Sequence, residues 1–178
     1  MQLRTSARLL ASAGALVLAT SLSSCGFNYA TDRVYTPAAA VNERTASVDV
    51  LGAVVVSAQE GSGTFIASFA NNDQLEPATV ESIEGAGDDA TLEVKKFRPI
   101  EVGPGQLVNL ATEGGIVLEG DFGPGDFVTV AITFGDGESV EMDVPVYPPC
   151  NEFEGLDITA PEGEAYPCEV EAPAGGGH

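Results

Sequence analysis

FVTVAITFGDGESVEMDVPV, residues 127–146 following Asp126, alternates apolar and polar side chains on both sides of a glycine-rich turn. Val128, Val130, Ile132 and Phe134 interleave with Phe127, Thr129, Ala131 and Thr133, then Val140, Met142, Val144 and Val146 with Ser139, Glu141, Asp143 and Pro145. A period of two places each apolar set on one face of a sheet. Between the runs lies Gly135-Asp136-Gly137, whose Asp-Gly pair accepts the positive φ that a tight hairpin needs. Burying the eight apolar side chains at about 1.5–3 kcal/mol each supplies much of a small domain's driving force. The stretch predicts a β protein built around one hairpin.

Upstream of the hairpin the same texture continues. Val48, Val50, Val54, Val55 and Val56 predict a heavily buried first strand broken by Gly52. Gly61-Ser62-Gly63 turns the chain into Thr64–Ala70, with Phe65, Ala67 and Phe69 on one face. Short strands are expected at Thr79–Ile83, Thr91–Val94, Ile100–Val102, Leu107–Leu110 and Ile116–Leu118. Gly/Pro turns separate them, and Pro104 and Pro124, each between glycines, have no place in a central strand. Short strands at roughly ten-residue spacing without helical periodicity indicate one all-β domain over 48–146, a β-sandwich.

The ends differ from this core. Arg4, Arg8 and the apolar run Leu9–Leu22 have the form of a signal peptide over 1–24, too short for a stable membrane span. It closes on Leu22-Ser23-Ser24-Cys25, which resembles a bacterial lipobox, in which the Cys is acylated and becomes the mature N-terminus. Acyl chains at about 0.8 kcal/mol per buried CH₂ would hold the protein on the outer face of the cell membrane. Residues 25–47 read as a flexible tether spanning on the order of 25 Å. Tyr29 and Tyr35 within it are candidates for packing on the domain or on a partner. Residues 147–178 form an acidic Pro/Gly-rich tail, with Ala172–His178 expected to be disordered. Cys150 and Cys168 are the remaining thiols, and in an oxidising envelope such a pair forms a disulfide. A redox-active dithiol would instead call for a C-x-x-C spacing or a cation to depress a thiol pKa.

The chain carries 27 Asp and Glu against 7 Lys and Arg, a net charge of −20. All the acids follow Cys25, whereas Arg4 and Arg8 precede it, so the mature chain keeps five basic residues. Nucleic acid is excluded as a partner by repulsion. The one histidine, His178, is terminal after a glycine run and cannot be held as a base. There is no P-loop, dinucleotide fingerprint or zinc-protease motif, so no catalytic residue and no cofactor is assigned. Acidic turns at Gly87-Asp88-Asp89 and Asp136-Gly137-Glu138 offer oxygen ligands, though neither alone supplies the six to eight that Ca²⁺ takes.

Glu101-Val-Gly-Pro-Gly105, Glu113-Gly-Gly115, Gly125-Asp126 with Val128–Phe134, and Val140–Val146 follow one another in an order that resembles the periplasmic copper chaperone family PCu(A)C. Phe65–Asn72, FIASFANN, resembles that family's earlier strand and Asn-rich turn. With the lipobox, the tether and the acidic tail, the chain is similar to an actinobacterial lipoprotein branch. The resemblance implies a Greek-key sandwich, cupredoxin-like or immunoglobulin-like. It also implies a Cu(I) site of His and Met, soft ligands for a soft ion. Those ligands would fall near Val94 or Lys95, and at about Val117 and Glu119. Met142, the one methionine after Cys25, belongs to a core face, so no metal ligand is assigned.

Lys95, Lys96 and Arg98 form the one basic cluster of the acidic domain, placed either to receive an acidic partner or to guard an edge strand against aggregation. The expectation is a lipid-anchored, non-catalytic accessory protein that docks on another envelope component such as a membrane protein complex. Metal handling, by copper delivery or a Ca²⁺ site on the acidic turns, is the alternative.

Overall fold

The computed structural model describes residues 40–161 and 166–168. The leader, Cys25, Tyr29, Tyr35 and the terminal run Ala172–His178 lie outside these residues, and so does the tether as far as 39. In chain order the strands are β1 (Val41–Glu43), β2 (Val48–Gln59), β3 (Ser62–Asn71), β4 (Ala78–Gly85) and β5 (Glu93–Val94). They continue as β6 (Ile100–Val102), β7 (Leu107–Asn109), β8 (Ile116–Glu119), β9 (Phe127–Phe134) and β10 (Ser139–Tyr147). One helical turn, α1 (Leu110–Glu113), follows β7.

The β9–β10 hairpin forms in the expected register, with Val140 opposite Ile132, Met142 opposite Val130 and Val144 opposite Val128. The alternation is realised: Val128, Val130, Ile132 and Val144 are fully buried, while Phe127 and Glu141 face outward. At the turn the Phe134 carbonyl accepts from Gly137 N–H, and Phe134 N–H donates to the Glu138 carbonyl. The positive φ of +86° falls on Gly137 alone, the signature of a turn closed by a glycine bulge.

Strand order is β5-β8-β3-β2-β10-β9-β4-β6, with β1 added to β2 and β7 to β3. β10 joins the two halves. Its first seven residues pair antiparallel with β9, and Val146 and Tyr147 then pair parallel with Val55 and Val56 of β2. The sheet thereby curls over itself, and Phe65, Phe69, Leu118, Val80, Ile132 and Phe134 meet in one core. This is the expected all-β, single-domain Greek-key sandwich.

Gly52 does not end the first strand. It forms a β-bulge: Leu51 pairs with Ser68 and Val54 with Ile66, so β2 carries one extra residue there. Gly52 adopts φ +64° and donates its N–H to Asn42 Oδ1 at 2.8 Å. The extra residue reverses the phase of the alternation. Val48 and Val50 point into the main core before it, and Ala53 and Val55 do so after it. Val54 and Val56 are thereby turned to the outer face, where with Ile66 they form a second apolar cluster.

That outer cluster explains two departures from the sequence boundaries. Ala40, Tyr147, Phe153 and Leu156 pack over it, so the domain extends past 146 into what composition marks as a tail. Val41–Glu43, assigned by composition to the tether, is a strand paired with β2 at Val41–Ala53 and Glu43–Val50. Both segments are too short and too sparsely apolar to show a period of their own. A third departure is α1, where a strand reaching Leu110 was expected. Asn109 Oδ1 caps it by accepting from Ala111 N–H at 2.9 Å, and a single turn is shorter than any helical period can register.

Candidate functional site

β8 presents Ile116 and Leu118 to the core, which leaves Val117 and Glu119 on its other face. β5 runs antiparallel beside it, with Glu93 opposite Glu119 and Val94 opposite Leu118, and Lys95 N–H donates to the Val117 carbonyl at 2.9 Å. The positions near which the family resemblance would place metal ligands, 94 or 95 with 117 and 119, therefore lie on neighbouring strands. What stands there is an ion pair: Lys95 Nζ lies 2.9 Å from Glu119 Oε1. Hydrogen bonding to Glu119, then its charge, raises the Lys95 pKa above the ordinary lysine value, aided by Glu93.

Beside the pair opens a cleft of about 470 Å³ lined by Glu81, Glu84, Leu92, Val94, Lys96 and Phe97 among others. It exists because β6 pairs with β4 only through Ala78, Thr79 and Val80, and Glu81–Gly85 run along the cleft instead. Lys95 and Lys96 both reach this cleft, whereas Arg98 is exposed outside its lining. The basic cluster of the sequence is thus split: Lys95 is paired with Glu119, Lys96 shares the cleft lining with Glu81 and Glu84, and Arg98 lies outside it.

The acidic turns serve the fold. Asp89 Oδ2 accepts from Thr129 N–H at 2.8 Å. Asp136 Oδ2 accepts from the Ser47 hydroxyl at 2.6 Å, and Glu138 Oε2 from Ser47 N–H at 2.8 Å, which fastens the start of β2 to the hairpin turn. Among the described residues no three His, Cys, Asp or Glu side chains gather as a metal site. Met142 lies in the core, 8 % exposed.

The Ser47 hydroxyl and then the Glu138 N–H hold the Asp136 pKa below the ordinary carboxylate value, and the N–H groups of Leu75 and Glu76 do the same for Asp73. Groups with depressed folded pKa values contribute stability that is present above the unfolded value and lost as pH falls through the folded one. Ser47→Ala is therefore expected to lower Tm at pH 7 and to converge on the wild type in acid, below the folded pKa of Asp136. Thermal melts from pH 7 to pH 2 check this, and a Tm difference that stays constant down to pH 2 would refute the linkage.

Two buried polar residues organise the loops and were not singled out by their chemistry. Asn71, 4 % exposed, donates from Nδ2 to the carbonyls of Glu76, Val102 and Gly103 and accepts from Asp73 N–H. It sits in the Asn-rich turn that the resemblance marked, which was the available signal. Asp157, 7 % exposed, lies where composition suggested a solvated tail. Its carboxylate accepts from Ala58 N–H at 2.7 Å, Thr64 Oγ1 at 3.1 Å, and the N–H and hydroxyl of Thr159. The Asp-x-Thr spacing hinted at a local Asx turn, but not at partners more than ninety residues away. The Cys150–Cys168 disulfide closes the same segment.

No protein-family profile and no curated protein matches the chain. Among solved structures, the copper-bound PCuAC domain from PmoF2 is similar at TM-score 0.50 and 15% identity, covering 61% of this chain and 99% of that one. The apo PCuAC domain from PmoF1 gives 0.48 and 17%, over 61% and 100% of the two chains. The apo PmoF2 PCuAC domain gives 0.49 and 14%, over 62% and 98%. At this identity the first likeness concerns architecture, and it agrees with the strand order and core described above. The chain has a PCuAC-like fold.

Proposed function

We propose that this chain is a lipid-anchored extracytoplasmic protein of the cell envelope whose sandwich is a non-catalytic docking module, acting on a membrane protein complex. The observation that carries the reading is the Lys95–Glu119 ion pair at positions 95 and 119. A Cu(I) carrier needs thioether and imidazole ligands there. Here an ammonium already satisfies the carboxylate, and an ammonium repels a metal cation. An exposed pair of this kind adds little to stability, which leaves its side chains available to a partner. The lipobox-like Leu22-Ser-Ser-Cys25 supports the anchor, and the cleft beside Lys95 and Lys96 supports a recognition role. The lack of a positioned base or nucleophile in the sequence supports a non-catalytic reading.

Metal handling is the second reading, favoured by the likeness to a domain solved with copper bound. One experiment separates the two. The protein, tagged at its C-terminus, is purified from membranes in mild detergent, and co-purifying proteins and metals are quantified together. A stoichiometric membrane complex without copper is expected, with recovery reduced severalfold by Lys95→Glu with Lys96→Glu. One equivalent of copper and no partner would replace the docking reading with the metal one.

A further inference from the structure

Phe127 breaks the rule its strand otherwise follows. On the outer face of β9 the later positions are small or polar, Thr129, Ala131 and Thr133, yet Phe127 is a large aromatic left 64 % exposed. It stands opposite Pro145 of β10 and lines a cleft of about 370 Å³ with Pro124, Tyr147, Pro148 and Tyr166. Two of the walls are tied to the rest of the fold. Tyr147 is the last residue of β10, paired with Val56, and its ring stacks on Phe153 at 5.6 Å between centroids. Tyr166 is two residues from the disulfide that closes the C-terminal segment.

Tyr166 also lines a neighbouring cleft of about 560 Å³ with Cys150, Glu154 and Asp157, so the two share a wall. Among the described residues neither is lined by a Lys, Arg or His; their carboxylates are Asp126, Glu154 and the buried Asp157, whose oxygens are already bonded within the fold. A cleft with aromatic and proline walls, with Asp126 in its own lining and Glu154 in its neighbour's, set in a strongly acidic chain, has a definite complement. Aromatic grooves recognise polyproline-II segments, whose preset conformation carries little ordering cost. Aromatic faces and nearby carboxylates both attract Arg and Lys.

We propose that the Phe127–Tyr147–Tyr166 track binds an extended, proline-containing and basic segment of a partner protein. This surface is separate from the Lys95 cleft, and the inference stands whether or not that cleft docks anything.

The test uses the full protein purified from cells in mild detergent and three fluorescent nonapeptides: (PPR)₃, the acidic (PPE)₃ and the flexible (GGR)₃. Anisotropy titrations are expected to show saturable binding of (PPR)₃ only, weakening as salt rises. Phe127→Ala, at an exposed site, should weaken it by about tenfold with an unchanged melting curve, and Tyr166→Ala should weaken it too. Equal binding of (GGR)₃, or indifference to Phe127→Ala, would reduce the effect to bulk charge and overturn the proposal. So would no binding of (PPR)₃. Sedimentation of the same samples covers the remaining occupant: a dimer dissociated by Phe127→Ala would assign the track to a second copy and likewise overturn it.

Discussion

Asn71→Ala is expected to lower unfolding free energy by about 3 kcal/mol, near the upper end for removing one buried polar side chain. One amide ties together two separate stretches of backbone. Nδ2 reaches the carbonyls of Glu76 in the β3–β4 loop at 2.8 Å, and of Val102 and Gly103 at the end of β6 at 3.1 and 3.3 Å. Oδ1 accepts from Asp73 N–H at 2.9 Å. Truncation leaves these largely buried groups beside a methyl group, so their desolvation is no longer offset. Asn71→Asp keeps the acceptor but turns a negative group toward three carbonyls, and it should fare no better. Asn72→Ala is the control, since its neighbouring exposed side chain makes one bond, to Asp49 Oδ1. Denaturant melts of the three variants decide the matter. A loss under about 1 kcal/mol for Asn71→Ala would mean that water takes the amide's place and that Asn71 does not pin the loops.

Asp157→Ala should cost a similar amount, about 3 kcal/mol, with the damage concentrated elsewhere. Four donors converge on this carboxylate, and Thr64 Oγ1 in turn accepts from Ile158 N–H, so the segment is fastened to the β2–β3 hairpin by a closed network. Without it, Phe153 and Leu156 lose their hold over Val54, Val56 and Ile66. Hydrogen exchange should accelerate first at Ala58 and the adjoining part of β2, while the β9–β10 hairpin stays protected. The disulfide acts on the same segment from its far side. Closing an 18-residue separation stabilises by about 3 kcal/mol in the chain-entropy model. Reduction and Asp157→Ala are therefore expected to be non-additive, because both release one segment. Strict additivity, with uniform loss of exchange protection, would show that the segment is no separable unit.

These two residues also mark where sequence reading stops. Asp157 and Thr64 are 93 positions apart, and Asp157 and Ala58 are 99 apart. No local pattern encodes such a meeting, and the surrounding Pro, Glu and Gly read as solvated chain. The Lys95–Glu119 pair is intermediate. Its meeting place was anticipated through the order of turns and strands that resembles PCu(A)C, whereas the bond between ammonium and carboxylate needed the β5–β8 register. Phe127 was legible only as an outward position of a strand. That its ring shares a cleft with Tyr147 and Tyr166 depends on where β10 ends and where the disulfide brings the chain back.

By itself the sequence determined the all-β class, the hairpin over 127–146 and its core face, the glycine turns, and the pairing of Cys150 with Cys168. Each of these rests on a period of two, a φ requirement or the chemistry of a thiol pair, and all three are properties of neighbouring or unique residues. Tertiary structure alone decided the bulge at Gly52 that turns Val54 and Val56 outward, the passage of β10 from one half of the sheet to the other, and the folding of residues 147–157 over the outer face. Those outcomes depend on which distant strand supplies the partner. Such a choice is made by burying whole faces against each other, and no short stretch of chain carries it.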